Sequence, residues 1–239
     1  MLDRSRLMRR AKTESMSEDL SGWLVTITEP RSGASEAYRM LRTNLLYVLS
    51  DAPSKVVLLT SPGPMEGKST TCANLGVVLA QAEMSVLLVD CDFQRPVLHR
   101  VFGVPNLRGI TDVLAEEHSL REARQESPVP NLKVLPTGLL PLNPAELLGS
   151  ARFAELLAQV RQEFDYVLLD APPASLFSDA FILARQVDGL LLVVDAKATS
   201  QRDLRRAMHG LRNVGSKILG TVLNNTDASE TGYSSYTYG

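Results

Sequence analysis

The sequence predicts an α/β protein, a mostly parallel sheet with helices on both faces, and three observations carry that prediction. Short apolar runs recur at residues 56–59, 85–89, 167–169 and 189–194. Continuous apolar character of this kind marks strands covered on both faces. Segments with helical spacing lie between these runs. Finally, a Gly-Lys-Ser turn and several aspartates stand directly after the apolar runs, at the strand ends where open parallel sheets form their ligand crevice.

The whole chain bounds what else it can be. Its 239 residues suit one α/β domain with short tails. A formal charge of −2 gives no global electrostatic case for nucleic acid. Two cysteines, Cys72 and Cys91, suggest neither a disulfide partner nor a zinc site, and a reducing cytoplasm fits. The longest apolar runs fall far short of the roughly 20 residues that cross a bilayer, and the first ten residues have no signal-peptide core. The expected organisation is a basic, disordered arm at 1–21, a domain at 22–225, and a flexible tyrosine-rich tail at 226–239.

In order, residues 1–21 crowd Arg4, Arg6, Arg9, Arg10 and Lys12 at the front; they read either as a disordered terminus or as an arm touching anionic lipid. Residues 23–27 are expected to form a short strand that Glu29-Pro30 stops. Tyr38, Leu41, Leu45 and Val48 recur at three and four, which predicts a helix over 35–49. Another stripe of that helix carries Glu36, Arg39 and Arg42, either a solvated face or a contact between subunits in which guanidinium groups fork onto a neighbour's carboxylate.

Residues 56–70 read as strand, phosphate-binding loop and helix, the helix running over 69–81 with Leu75, Val78 and Leu79 on one side. The loop reaches a helix N-terminus, where unpaired N–H groups and the positive end of the dipole attract anions. Lys68 can reach outer phosphates, and the Ser69 hydroxyl is a hard ligand of the kind Mg²⁺ prefers. The implied ligand is a nucleoside triphosphate with magnesium. The general pattern asks for Gly five places before Gly67, and that position is Pro62.

Strand 85–89 ends in Asp90-Cys91-Asp92, either the cap of a following turn or a carboxylate pair balanced by magnesium. One amphipathic helix is expected over 109–124, a strand over 132–135, and a helical run over 145–164 broken near Gly149. Residues 165–173 run an apolar strand into Asp170 and two prolines, which places the acid to hold a magnesium-bound water. A strand at 189–194, a helix at 201–212 with Leu204, Ala207, Met208 and Leu211 inward, and a strand at 217–223 complete the sheet. Tyr233, Tyr236 and Tyr238 lie in the last seven residues; they read as a sticky terminus or as hydroxyls offered to an enzyme.

Taken together, Glu36-x-x-Arg39-x-x-Arg42 with Thr43-Asn44, the Gly67-Lys68-Ser69 loop, Asp90-x-Asp92, Asp170-x-Pro172-Pro173, Leu223-Asn224 and the tyrosine cluster resemble the bacterial tyrosine kinases (BY-kinases) of capsule and exopolysaccharide export. The resemblance covers about residues 22–239. It implies a P-loop NTPase-like fold and ATP with Mg²⁺ as cofactors. Nucleotide contacts would come from Gly63, Met65, Glu66, Gly67, Lys68, Ser69, Thr70 and Asn224, metal contacts from Ser69, Asp90 and Asp170, and catalysis from Lys68, Asp90 and Asp92. It further implies ring-like homo-oligomers through Glu36, Arg39 and Arg42, autophosphorylation of Tyr233, Tyr236 and Tyr238 on a neighbouring subunit, and a membrane-embedded activator that recruits a cytoplasmic protein to the inner face of the membrane.

The departures are Gln94, where the family usually carries Arg, with Arg95 next, and Ala171 after the Walker-B acid. Two other readings stand beside the kinase. Partition-type ATPases carry a second lysine five residues before the loop lysine, where this chain has Gly63. A nucleotide-dependent scaffold with little catalysis is the reading Gln94 keeps open.

Overall fold

The computed structural model describes residues 22–50 and 54–226. The expected basic arm and the tyrosines at 233, 236 and 238 lie outside those residues. Seven strands, β1 (Lys55–Thr60), β2 (Val86–Asp90), β3 (Gln125–Glu126), β4 (Leu132–Leu135), β5 (Tyr166–Asp170), β6 (Gly189–Asp195) and β7 (Ile218–Asn224), form one sheet in the order β3-β4-β2-β5-β1-β6-β7. Every pairing is parallel except that of β3 with β4. The four apolar runs of the sequence are the four central strands, and their burial on both faces is the reason they do not alternate.

Helices cover both faces, as expected. On one side Val57, Leu59, Leu88 and Val193 pack against α1 (Val25–Thr28), α2 (Gly33–Val48), α3 (Lys68–Ala80) and α4 (Leu98–Val101). On the other, Val56, Leu58, Leu87 and Leu192 meet α5 (Ile110–Leu114), α6 (Leu120–Ala123), α7 (Pro144–Leu148), α8 (Ala151–Glu163), α9 (Asp179–Ala184) and α10 (Gln201–Asn213). Ser32, Ser150 and Ser200 cap α2, α8 and α10 by accepting a backbone N–H three residues on. The break expected near Gly149 separates α7 from α8.

Three expectations are corrected. Residues 23–27 form no strand, and 25–28 are the single turn α1. Both neighbours of β1 are already taken by β5 and β6, and the Thr26 amide and hydroxyl instead donate to Asn74 Oδ1 at 3.1 and 2.8 Å. That tertiary anchor overrides the β propensity of Val, Thr and Ile. The helix expected over 109–124 is two helices. Glu116 turns left-handed at φ 60°, and Ser119 starts α6 afresh, its amide and hydroxyl donating to Glu122 Oε2 at 2.9 and 2.6 Å. Finally, α3 is buried almost all round rather than along one stripe, because α2 covers the side that the sheet does not. Short helices α4 and α9 and the two-residue β3 carry too few residues to show a period.

Candidate active site

The parallel register sets the chemistry of one edge. Asp90 pairs with Asp170, and Leu59 pairs with Asp170, so β1, β2 and β5 deliver the phosphate-type loop and two acids at one height. The loop's root is tied to the segment after β5: the Thr60 hydroxyl donates to Pro172 O at 2.8 Å, and the Ala174 amide to Ser61 O at 2.8 Å. Met65 and Gly67 both adopt positive φ, 63° and 88°. Such turns point successive amides inward and form an anion-binding concavity at the start of α3.

Two side chains hold the loop from outside. Glu66 is buried, and its Oε1 accepts the Gly63 amide at 2.9 Å. Burial pushes its carboxyl above the ordinary range, against hydrogen bonds from Thr199 and the Gly63 amide. Its carboxylate is therefore a brace inside the loop. Asn224, at the end of β7, donates from Nδ2 to Glu66 O at 3.2 Å. A Cβ on Gly67 would stand 2.0 Å from that same nitrogen. Glycine at 67 is thus required twice, by φ and by the approach of Asn224.

Lys68 opens α3 and points at the acids. Its Nζ lies 2.6 Å from Asp92 Oδ2, 3.9 Å from Asp170 Oδ1 and 3.2 Å from Ser69 Oγ. Burial alone would lower its pKa, but Asp170, Asp92 and Asp90 outweigh it and hold the ammonium above its ordinary value. Asp92 Oδ1 accepts the amides of Gln94 and Arg95 at 3.1 and 3.0 Å. Asp90 sits deeper; its carboxylate accepts the amides of Asp92, Val97 and Leu98 at 3.3, 3.0 and 3.0 Å. Of the pair left open by the sequence, Asp92 lines the cleft, while Asp90 shapes the turn that carries it.

Asp170 is the outlier. It is wholly buried, and neither carboxylate oxygen accepts a hydrogen bond. Burial pushes its pKa up to about 6 even though Lys68 and Ser69 act to lower it. A buried carboxylate with free lone pairs beside a hydroxyl and an ammonium fits a hydrated divalent cation. Among the described residues no three His, Cys, Asp or Glu side chains form a metal cage. Mg²⁺ commonly keeps its waters and takes one or two carboxylates with phosphate oxygens, so this donor set suits it.

The loop, Lys68, Ser69 and Asp92 border a cleft of about 430 Å³. Loop residues 64–70 line it with Asp92, Gln94, Arg95 and Val97, and Trp23, Pro173, Leu176 and Phe177 supply its apolar wall surface. Periodicity gave no hint of that wall; only the rarity of tryptophan, one in the chain, singles out Trp23. Glu36, Arg39 and Arg42 lie away from it on α2. Arg39 Nη1 pairs with Glu36 Oε2 at 2.6 Å, and Arg42 Nη1 donates to Val78 O of α3 at 3.0 Å.

Comparison with known proteins matches this site. The AAA_31 family, described as an AAA domain, matches residues 63–224. Tyrosine-protein kinase YwqD of Bacillus subtilis is 40% identical over 215 residues, 90% of each chain. The chain belongs to the bacterial tyrosine kinase family. Tyrosine-protein kinase wzc of Salmonella typhimurium is 34% identical over 90% of this chain, which spans 30% of that larger kinase. Among solved structures, the kinase domain of the Escherichia coli tyrosine kinase ETK superposes with a TM-score of 0.82 at 30% identity, over 90% of this chain and 84% of that one. The septum site-determining protein MinD of Pyrococcus horikoshii, complexed with Mg-ADP, superposes with a TM-score of 0.63 at 26% identity, over 74% and 72%. The kinase domain is the better match, in line with Gly63 standing where partition-type ATPases carry their second lysine.

Proposed function

We propose that this bacterial tyrosine kinase transfers the γ-phosphoryl group of ATP to tyrosine hydroxyls at 233, 236 and 238 of a neighbouring copy, in the control of exopolysaccharide or capsule synthesis. The observation that carries the reading is the cleft lined by the loop, Lys68 and Asp92, with the unbonded Asp170 carboxylate buried behind Lys68. Loop amides from 65 to 70 bind the phosphates, while the Gly63 amide stays on Glu66, and Lys68 exchanges its contact with Asp92 for charge on the β and γ groups. Release of Lys68 frees Asp92 Oδ2 to orient the incoming phenol and accept its proton; a phenol with pKa near 10 is almost wholly protonated at neutral pH. The tyrosine oxygen forms the new bond to phosphorus, the bridging bond to the β-phosphate breaks, and ADP leaves. Ser69 and Asp170 would hold magnesium, which neutralises the phosphate charge. Asn224 serves nucleotide binding by holding the loop at Glu66.

Reach supports the acceptor assignment. From Asn225, Tyr233 and Tyr238 lie eight and thirteen residues on, roughly 26 to 47 Å of extended chain. Tethering brings an effective concentration on the order of mM. The α2 stripe is proposed as the oligomer contact, with Glu36 exposed and Arg39 half-buried at its surface and Arg42 fixing α2 on α3. Each phosphate adds about −1.5 to −2 charge, so modified tails repel and loosen the ring. A membrane-embedded partner is proposed as activator.

Intact masses after incubation with Mg-ATP test the reading. Wild type gains phosphate, whereas Lys68→Ala and the Tyr233/Tyr236/Tyr238→Phe triple variant do not. A wild type that gains none, with or without a membrane partner, refutes it.

A further inference from the structure

We propose that Trp23, Leu176 and Phe177 form the subsite for the ring of the acceptor tyrosine, and that Arg95 on the cleft's lip reads the acidic residues that precede it. The proposal rests on the kinase reading above and names the occupant as residues 227–239 of a second copy.

The cleft has two chemical characters. Its loop offers amides, Lys68 and Ser69, which suit phosphates; Pro173, Leu176 and Phe177 offer no donor at all, and Trp23 offers only the single indole N–H at the edge of a large apolar ring. That wall suits an aromatic ring, which gains from burial and from offset or edge contacts with another ring. Trp23 and Leu176 remain 38% and 57% exposed, large apolar groups at the cleft with space before them.

Trp23 is also held in place. Its carbonyl accepts from Asn74 Nδ2 at 2.7 Å, and the next residue, Leu24, is wholly buried in the core. Asn74 Nδ2 donates as well to Thr70 O at 2.9 Å, so the backbone that carries the indole is anchored to the first turn of the helix that starts at the loop. A ring resting on this surface shares the cleft with Asp92, the carboxylate already assigned to its hydroxyl.

Charge selects the peptide. Lys68 is balanced by Asp92 and Asp170, whereas Arg95 is exposed at the cleft and no ion pair of Arg95 occurs among the described residues. Its backbone is fixed through its amide on Asp92 Oδ1. Residues 227–239 place Asp227 and Glu230 ahead of Tyr233, Tyr236 and Tyr238. They begin three residues past Asn224, whose side chain touches the loop. An acid three residues before a tyrosine stands roughly 10 Å from it in extended chain, which separates a lip contact from a wall contact.

The test uses the chain with Tyr233, Tyr236 and Tyr238 changed to Phe and a synthetic peptide of residues 226–239 offered in trans. Because Trp23 is the one tryptophan, its fluorescence reports the wall directly. With a non-hydrolysable ATP analogue bound, adding peptide should change the indole emission saturably. With Mg-ATP, Trp23→Ala should raise the peptide KM about tenfold, with Trp23→Phe recovering most of the loss. Nucleotide affinity of Trp23→Ala, read with a fluorescent analogue, should stay within about twofold, since the Asn74 contact is to the backbone carbonyl. Arg95→Glu should raise KM for this peptide and leave unchanged the KM of a peptide carrying Asn and Gln at 227 and 230. A folded, nucleotide-binding Trp23→Ala that transfers phosphate with unaltered peptide KM overturns the subsite while leaving the kinase reading intact. A parent chain that binds nucleotide yet transfers nothing to the peptide overturns both.

Discussion

Replacing Gly67 by Ala probes the loop and its clamp together, and the structure supplies the magnitude. A non-glycine residue at φ 88° costs about 1–2 kcal/mol from backbone sterics. The added Cβ would stand 2.0 Å from Asn224 Nδ2, so Asn224 must swing away and release Glu66 O, at about 0.5–1.5 kcal/mol for the lost hydrogen bond. Gly67→Ala should therefore destabilise by about 2–3 kcal/mol, and Asn224→Ala alone by about 1 kcal/mol. In the double variant the side-chain amide is gone, and only the Asn224 Cβ, 3.9 Å away, remains near the new methyl. The hydrogen bond cannot be lost twice, so the double variant should be no less stable than Gly67→Ala. The cycle should be non-additive by about 1 kcal/mol. Urea unfolding of the four proteins measures this. Additivity within about 0.3–0.5 kcal/mol would show that Asn224 does not clamp Gly67 and would refute the reasoning.

Further outcomes follow from single contacts. Asn74→Ala removes four hydrogen bonds, to Thr26 N and Oγ and to the carbonyls of Trp23 and Thr70; it should cost about 2–4 kcal/mol, with hydrogen exchange of residues 24–29 accelerated first, and unchanged protection there would contradict the anchor. Glu66→Gln tests the buried brace by pH. The folded carboxyl titrates above its unfolded value, so the stability that protonation gives wild type is present at low pH and is lost as pH rises through the folded pKa. The variant's thermal midpoint should therefore gain on wild type as pH rises from about 4, the unfolded carboxyl's range, through the folded carboxyl's titration, and a constant difference would argue against it. Asp188→Ala breaks a two-pronged contact with Arg161, at 2.6 and 3.0 Å, and a bond from the Val56 amide at 2.7 Å. A loss of about 1–3 kcal/mol is expected in chemical denaturation, with the cleft's nucleotide affinity unaltered.

Legibility in the sequence followed the range of the forces involved. Strands such as β1 and β5 were readable because burial on both faces forces a continuous apolar run. The loop was readable because Gly67, Lys68 and Ser69 meet their demands within three consecutive residues. What stayed hidden was set by partners far along the chain. Nothing near Val25 announces that Asn74, 48 residues on from Thr26, will take its amide and turn an expected strand into a helical turn. Asp90 and Asp92 look equivalent in sequence. The amides of Val97 and Leu98 occupy one of them, while Lys68 holds the other. Glu66 reads as a surface loop acid until burial turns it inward. Residues 115–119 looked helical because Val113 and Leu120, seven residues apart, stay in helical phase, yet Ser119 and Glu122 reward a new start more than continuation.

The two asparagines, Asn74 and Asn224, also have a mechanical consequence. One ties the turn at Trp23 to the first coil of α3; the other ties the end of β7 to the loop. A displacement of the backbone at residue 22 or residue 226 is therefore passed to the nucleotide loop through one side chain on each side, Asn74 or Asn224, as well as to the sheet through the ladder that β7 shares with β6. The loop's shape is thereby coupled to both points at which the described domain joins the rest of the chain.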